Sequence, residues 1–187
     1  MKRARNGEPF GHPCDSIAIG SDHGGFELKK KIVDYINEKY KSKGISIRDV
    51  GTTSEENKAD YPDICGAVCS LLQKGEVSRG ILLDGAGVAS GIAANKFIGI
   101  RCAVVHDHFS ISMGRKHNDC NVMSLGGKSL GIEAAKEIVD VFISCEFEGD
   151  RHIPRLNKIC SIESKGGRNG GDENIASPLK SPFKLPM

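Results

Sequence analysis

The chain has 187 residues, of which 39% are hydrophobic, 27% charged and 5% aromatic. This length suits one domain with its own core, and the apolar content excludes a wholly disordered chain. Its longest apolar runs, such as 102–105, are far shorter than the roughly 20 residues that cross a bilayer, so we expect no membrane contact. The formal net charge is only +2 and its excess lies in the two ends, which argues against nucleic acid as a partner.

The seven cysteines are odd in number and lack the spacing of a disulfide framework, which is typical of reduced thiols in a cytoplasmic protein. Cys65 and Cys69 lie four apart on a predicted helix, but no CxxC or HxxxH stands nearby, so we expect no metal site. No apolar stretch of secretory type follows the basic residues at the start. We therefore interpret 1–14 as a solvated arm, 15–163 as the folded domain and 164–187 as a disordered tail.

Strand and helix signals alternate along the first half of the chain. Leu28, Ile32 and Ile36 are spaced four apart, which is typical of one buried face of a helix. Gly44 suits the end of that helix, and Pro62 suits the start of the next one. In chain order we predict a strand over 16–20, a helix over 24–40, a strand over 45–50 and a helix over 61–74.

The same alternation continues through the second half. A strand is predicted over 79–83, a glycine-rich turn over 84–91, a short helix over 92–97, a strand over 100–105, a helix over 107–117, a strand over 121–125, an amphipathic helix over 130–142 and a last short helix from 151 to about 162. Five strands that alternate with helices indicate βαβ crossovers. The predicted fold class is therefore α/β, with a doubly wound, five-stranded parallel sheet in a single domain.

Such sheets bind ligands at the carboxyl ends of their strands. Ser21, Asp22 and His23 follow the first strand, and the turn 84–91 follows the third. We assign Arg115, His117 and Asn118, which precede the fifth strand, to the same edge. Polar and titratable groups are therefore expected to gather along one edge of the sheet, as a site requires.

Glycines at 85, 87 and 91 would let backbone N–H groups approach an anion or an oxyanion. The turn is neither a Walker A loop nor a GxGxxG turn after the first strand, and a tight structural turn is the alternative. Asp22 at the tip of the first strand either contacts a ligand or caps the next helix. Arg151 and Arg155, four apart on one helix face, either clamp a phosphate or form a solvated face.

Together these segments resemble the family of ribose-5-phosphate isomerase B and galactose-6-phosphate isomerase. The resemblance runs in colinear order over about residues 16–163, through IAIGSDHGGFELK, DVGTTSEENKADYPD, RGILLDGAGVASGIAANKFIGIRCAVVHD, GRKHNDCNVMSLGG and EFEGDRHIPRLNKI. It implies a Rossmann-like homodimer, with a tetramer left open, whose C-terminal helix reaches the partner subunit. It also implies interconversion of an aldose phosphate and a ketose phosphate at sites between the subunits, without metal or other cofactor.

The resemblance also implies roles for individual residues. Asp84 takes the position of the catalytic base, and His117 assists ring opening of the sugar. The implied substrate-binding residues are Asp22, His23, Tyr61, Gly85, Ala86, Gly87, Val88, Ala89 and Asn118. The implied phosphate ligands are Arg151 and Arg155, with Arg115 adding to their charge.

Asp84 departs from the family pattern, in which a cysteine base usually stands before the glycine loop. Another branch of the family has a glutamate base later in the loop, where this chain has Ser90. A carboxylate can move a proton beside a carbonyl if its pKa is tuned. Four interpretations stay open. Asp84 is the base, it has a changed ligand role, it only caps the following helix, or the protein is an inactive paralogue that binds a sugar phosphate without catalysis.

The substrate also stays open, because the departure at position 84 weakens the inference to ribose 5-phosphate. Ribose 5-phosphate with ribulose 5-phosphate is one candidate, and a tetrulose phosphate is another. A flavodoxin-like redox domain is disfavoured, since no aromatic residue flanks the loops where a flavin would stack.

Overall fold

Five parallel strands with helices on both faces make up the fold, in a computed structural model that describes residues 10–168. The strands are β1 (Ser16–Ser21), β2 (Ser46–Asp49), β3 (Arg79–Asp84), β4 (Cys102–Val104) and β5 (Val122–Gly126). The helices are α1 (Phe26–Tyr40), α2 (Tyr61–Gln73), α3 (Val88–Ala94), α4 (His108–Asn118), α5 (Ile132–Ser144) and α6 (Ile153–Arg168). Short 3-10 turns cover Lys41–Lys43 and Asp150–His152. The predicted α/β class with a five-stranded parallel sheet is confirmed.

The strand order is β2-β1-β3-β5-β4. The chain moves from β1 outward to β2, and then returns to place β3 on the other side of β1. The last strand, β5, inserts between β3 and β4. The reversal between β1 and β3 is a topological switch point, where open α/β sheets form a crevice at their carboxyl edge.

Successive side chains of each strand point to opposite faces of the sheet, so the core has two layers. Ile17, Ile19, Ile81 and Leu83 face the layer that contains α1 and α5, where they pack with residues such as Phe142. Ala18, Leu82 and Val122 face the other layer, where Cys65 and Val68 of α2 are fully buried. Both faces of the central strands are therefore apolar, as expected for a parallel sheet that helices cover on both sides.

The described part of the chain divides into two compact units, residues 10–152 and residues 153–168. The first contains the sheet with α1 to α5, and the second contains α6. Helix α6 continues to Arg168, beyond the predicted end near residue 162. The rest of the predicted disordered tail, residues 169–187, lies outside the described residues. Within residues 10–168, no helix has both the length and the apolar character needed to cross a membrane.

The end of the predicted N-terminal arm is not solvated. Phe10 is buried, and its ring packs edge-on against Phe147 with the centroids 6.1 Å apart. The guanidinium of Arg101 lies over the Phe10 ring, and the amide of Gly11 donates to Asp119 at 3.1 Å. Residues 10 and 11 therefore belong to the folded unit, whereas residues 1–9 of the predicted arm lie outside the described part.

Candidate active site at the switch point

The loops after β1 and β3 meet at the carboxyl edge of the sheet. The amide of Asp22 donates to the carbonyl oxygen of Leu83 at 3.2 Å. A Cβ on Gly24 would lie 3.0 Å from the amide nitrogen of Gly85, which shows how closely the two loops pass. Since β1 and β3 are neighbours in the sheet, the two loops that were predicted to hold ligand-binding residues are brought together.

A third loop, which follows β5, completes this edge. The amide of Gly127 donates to the carbonyl of Asp84 at 2.8 Å, and the amide of Lys128 donates to the carbonyl of Gly85 at 3.0 Å. A Cβ on Gly127 would lie 2.6 Å from the carbonyl oxygen of Gly24, closer than real side chains approach. The floor of the crevice is therefore built from three backbone segments without intervening side chains.

The carboxylate of Asp84 holds the glycine loop. Its Oδ1 accepts hydrogen bonds from the amides of Ala86 at 2.9 Å and Gly87 at 2.6 Å, and its Oδ2 accepts one from the amide of Ser90 at 2.8 Å. Asp84 is only 5% exposed. Gly87 completes the turn with φ +80°, in the left-handed region that favours glycine.

These hydrogen bonds affect the acidity of Asp84. Burial by itself would raise the pKa of this carboxyl group, but the hydrogen bonds from Ser90, Ala86 and Gly87 outweigh it and hold the pKa below its usual value. A carboxylate has about four lone-pair positions, and here three backbone amides and the Ser90 side chain are directed at them. The arrangement favours the capping role among the interpretations of Asp84, and a base role requires one of these donors to give way.

Some backbone amides of this loop donate to Asp84, and others are left for a ligand in the crevice. The amides of Ala86, Gly87 and Ser90 are taken by the carboxylate. Among residues 10–168, no acceptor takes the amides of Gly85, Val88 and Ala89. These donors are able to bind an oxyanion on a ligand in the crevice.

The remaining residues predicted at this edge lie around the crevice. Asp22 caps the turn before α1, since its Oδ1 accepts from the amides of Gly24 at 2.8 Å and Gly25 at 3.2 Å. His23 is exposed beside it. Tyr61 is the first residue of α2, which follows β2, and is 38% exposed. The capping role of Asp22 leaves its second carboxylate oxygen without a hydrogen bond from the described residues.

The assignment of Arg115, His117 and Asn118 to this edge is wrong. Helix α4 leaves the carboxyl end of β4 and runs back, so its last residues lie where the strands begin. The Nε of Arg101, directly before β4, donates to the carbonyl of Asn118 at 3.1 Å. Along β3 the two edges are roughly 16 Å apart at about 3.3 Å per residue. Within one chain, His117 therefore cannot reach a ligand bound at Asp84.

Arg115 is tied into the interior of the protein. It is 1% exposed, and its Nη1 donates to Asp119 Oδ1 at 2.9 Å and to the carbonyl of Cys120 at 2.6 Å. Its Nε donates to the carbonyl of Cys145 at 3.3 Å. Because this guanidinium is already occupied, we leave Arg115 out of the candidate phosphate site.

His117 belongs to a cluster of titratable groups at the amino edge. Its Nε2 lies 3.7 Å from Glu148 Oε2, and the Nε2 of His152 lies at the same distance from that oxygen. The two imidazole rings stack with centroids 4.2 Å apart and planes within 14° of parallel. Arg151 approaches Glu148 at 3.7 Å. Glu148 and His152, which the sequence analysis did not single out, thus orient His117.

This cluster also has the composition of a metal site. The candidate ligand atoms of His117, Glu148 and His152 all lie within 4.8 Å of one another. Nearly parallel imidazoles, however, direct their lone pairs alongside each other and not at one point. The contacts to Glu148 at 3.7 Å are longer than hydrogen bonds, so ring stacking is the main contact in this cluster, and we assign no metal to it.

Lys128 is a further residue that the sequence analysis missed. Its side chain is exposed at the carboxyl edge, and a Cβ on Gly85 would lie 3.9 Å from its Cδ. The signal was present, because Gly126, Gly127 and Lys128 directly follow the fifth strand. Applying the carboxyl-end rule to that strand would have placed a cation at the carboxyl edge of the sheet.

A sequence model described as Ribose/Galactose Isomerase matches residues 17–159. The chain belongs to the ribose/galactose isomerase family. It is 43% identical over 149 residues to the ribose-5-phosphate isomerase B of Escherichia coli K12, covering 80% of this chain and 97% of that protein. The D-erythrulose-4-phosphate isomerase of Pectobacterium atrosepticum is 38% identical over 144 residues, covering 77% of this chain and 92% of that one.

Solved structures of this isomerase family agree with the fold. The Clostridium thermocellum ribose-5-phosphate isomerase B superposes with a TM-score of 0.76 at 42% identity, covering 81% of this chain and 99% of that one. The Trypanosoma brucei type B enzyme superposes with a TM-score of 0.75 at 38% identity, covering 80% and 99%. The family resemblance predicted from the motifs is confirmed, and with it the assignment of the chain to an enzyme family of isomerases.

Proposed function

We propose that the chain interconverts an aldose phosphate and a ketose phosphate, of pentose or tetrose length, through an enediolate. The observation that carries this proposal is the crevice at the switch point, where the amides of Gly85, Val88 and Ala89 are open to a ligand. Donors aimed at a developing oxyanion are the largest single contribution in many such reactions. The named relatives act on substrates of both lengths, a ribose phosphate and an erythrulose phosphate.

In this proposal Asp84 is the base that moves the proton between neighbouring carbons. Its carboxylate lies in the same loop as the open amides of Gly85, Val88 and Ala89, which would hold the enediolate oxygen. A carboxylate with a lowered pKa stays ionised at neutral pH, which a base requires, although the low pKa also reduces its basicity. Asp22 and His23 would contact the sugar hydroxyls, Tyr61 would line the crevice, and Lys128 would add positive charge.

We further propose that the active site forms between two copies of the chain. His117 and Asn118 lie at the amino edge, so in a homodimer they would serve the crevice of the partner. The apolar side chains of Val88 and Ile92 on α3 and of Phe109 on α4 are 48%, 59% and 71% exposed, which suits a face that a second copy covers. Arg151 and Arg155 would bind the substrate phosphate in that arrangement.

A second candidate function is binding of a sugar phosphate without catalysis. The observation that favours it is the occupation of the Asp84 carboxylate by three backbone amides. Under this alternative Asp84 only holds the loop, and the protein binds the sugar phosphate unchanged.

An assay of proton transfer distinguishes the isomerase from the binding protein. Purified protein is mixed in deuterated water with ribose 5-phosphate, ribulose 5-phosphate or erythrulose 4-phosphate, and the sugars are followed by NMR. Isomerisation requires interconversion, with deuterium entering beside the carbonyl. Binding in the absence of both signals, for every one of these sugars, would contradict the isomerase proposal and support the binding protein.

Substitutions at position 84 test the base itself. Asp84→Asn keeps the shape of the side chain but cannot accept a proton, and we expect its rate to fall by about two to four orders of magnitude. Asp84→Cys supplies the usual base of the family, and we expect partial activity with a pH profile shifted toward the titration of a thiol. An Asn variant that turns over like wild type would remove Asp84 from the mechanism.

A further inference from the structure

A cavity of about 470 Å³ opens at the amino edge of the sheet, at the opposite end of β3 from the glycine loop. Its volume is within the range of small-molecule sites, which is roughly 300–1,000 Å³. Apolar side chains contribute much of the wall, among them Leu72, Val77, Ile98 and Ile100. Three arginines, Arg79, Arg101 and Arg115, line the same cavity, and so do the acidic residues Asp15 and Asp119.

Arg79 has an unusual position for a charged side chain. It is the first residue of β3 and is only 3% exposed. Its Nη2 donates to the carbonyl of His12 at 3.3 Å, and its guanidinium lies 5.4 Å from the centroid of the Phe142 ring. Within residues 10–168, no acceptor takes the hydrogens of its Nη1. A buried charged donor without an acceptor is costly, and a bound water, ion or ligand relieves that cost.

The neighbouring charges compensate this guanidinium only in part. Asp119 is shared by Arg101 at 2.8 Å and Arg115 at 2.9 Å, and Asp15, which also lines the cavity, is exposed. Burial and the nearby charge of Arg115 lower the pKa of Arg79 to about 10. The cavity wall thus has three cations and two carboxylates, and a further negative charge there would be favourable.

We propose that this cavity is a second ligand site, which binds a small organic oxyanion with a short apolar chain. The oxyanion, a carboxylate or a phosphate monoester, lies beside Arg79 and Arg101, where a small rotation of the Arg79 side chain brings its buried Nη1 to the ligand, and the apolar chain packs against Leu72, Val77 and Ile98. The site is separate from the proposed sugar-phosphate site, because Arg79 and Asp84 lie at opposite ends of one strand, roughly 16 Å apart.

Backbone amide NMR of the full-length protein tests the site directly, with butanoate and butyl phosphate as probes. We expect either probe to shift the amides of Ile100, Arg101 and Asn121 in a saturable way. A response from one probe alone supports the site and identifies the head group. The proposal is overturned if millimolar probe shifts none of these amides, or if only the amides of the loop 85–89 respond.

Two pairs of variants connect the binding to the cavity. Arg79→Met keeps the length of the side chain without its charge, and we expect affinity to fall by about tenfold or more. Arg48→Met removes an equal charge from an exposed ion pair with Glu76, and affinity should stay within about twofold of wild type.

The second pair places a charge at the rim of the cavity. Ile98 is 68% exposed, so its substitution leaves the core intact. Ile98→Asp should weaken binding by repulsion, whereas the uncharged Ile98→Asn should not. Equal affinity in wild type, Arg79→Met and Ile98→Asp would refute the site, whatever the outcome of the isomerase assays.

Discussion

Mixing two inactive variants should restore activity if each active site combines residues from two chains. The glycine loop with Asp84 lies at the carboxyl edge of the sheet and His117 lies at the amino edge. Five residue steps along β3 separate these edges by roughly 16 Å, which is much too far for both groups to contact one small sugar. In a homodimer of antiparallel subunits, the His117 of one chain would complete the crevice of the other.

The fraction of activity that should return follows from the symmetry of such a dimer. Asp84→Asn and His117→Ala are each expected to be nearly inactive as homodimers. After subunit exchange at equal concentration, half of the dimers carry one chain of each kind. One of the two sites in such a mixed dimer has both native residues, so about a quarter of the wild-type activity should return.

Isomerisation of ribose 5-phosphate, or of whichever sugar phosphate the wild-type protein converts, is measured before and after brief partial denaturation and refolding of the mixed variants. As the control, the doubly substituted protein is mixed with wild type. Both substitutions then lie on one chain of each mixed dimer, so neither of its two shared sites has both native residues. Failure of the two single variants to complement, in a sample where mass spectrometry detects mixed dimers, would refute the shared site.

Three further predictions concern single positions. Asp84→Asn should lower the free energy of unfolding by about 1.5–3 kcal/mol at neutral pH, and the difference should shrink as pH falls through the lowered pKa of Asp84, as measured by urea denaturation. Gly44→Ala should lower the free energy of unfolding by about 1–2 kcal/mol, because Gly44 has a left-handed φ of +83°. Gly87→Ala should lower it by about 1–3 kcal/mol more, because its Cβ would also lie 2.7 Å from the backbone of Leu125. Equal losses for the two variants would contradict the packing argument. Arg155→Ala should raise the Michaelis constant about ten- to hundredfold in kinetic assays, whereas the control Lys158→Ala should leave it unchanged. Equal Michaelis constants for the two variants would remove Arg155 from the phosphate site.

Much of the fold was predictable because it depends on local patterns. The spacing of Leu28, Ile32 and Ile36 requires a helix with one buried face, and all three are buried in α1. The loops after β1 and β3 were placed correctly at one edge, since residues that follow a parallel strand lie at its carboxyl end. The same reasoning should have excluded Arg115 and His117, because residues that precede a strand lie at the opposite edge.

Element boundaries were less predictable, since they depend on which backbone groups find partners. The short helix after the glycine turn was predicted over 92–97, but α3 begins at Val88. Asp84 shifts its start, because this carboxylate binds the amides of Gly87 and Ser90 and so organises the first turn. Capping of the following helix by Asp84 was one of the interpretations left open by the sequence, but the residue at which that helix begins depends on which amides the carboxylate reaches.

The sequence by itself determined the alternation of strands and helices, the two apolar faces of the central strands and the family motifs. Only the tertiary structure decided that β5 inserts beside β3, which brings Gly127 and Lys128 onto the loop that Asp84 holds. It also decided that Arg115 is buried with Asp119 and that Arg79 lines a cavity. The reason is physical: propensity and periodicity act over a few neighbouring residues, whereas strand order, the partner of a buried charge and the shape of a cavity arise from contacts between segments far apart in the chain.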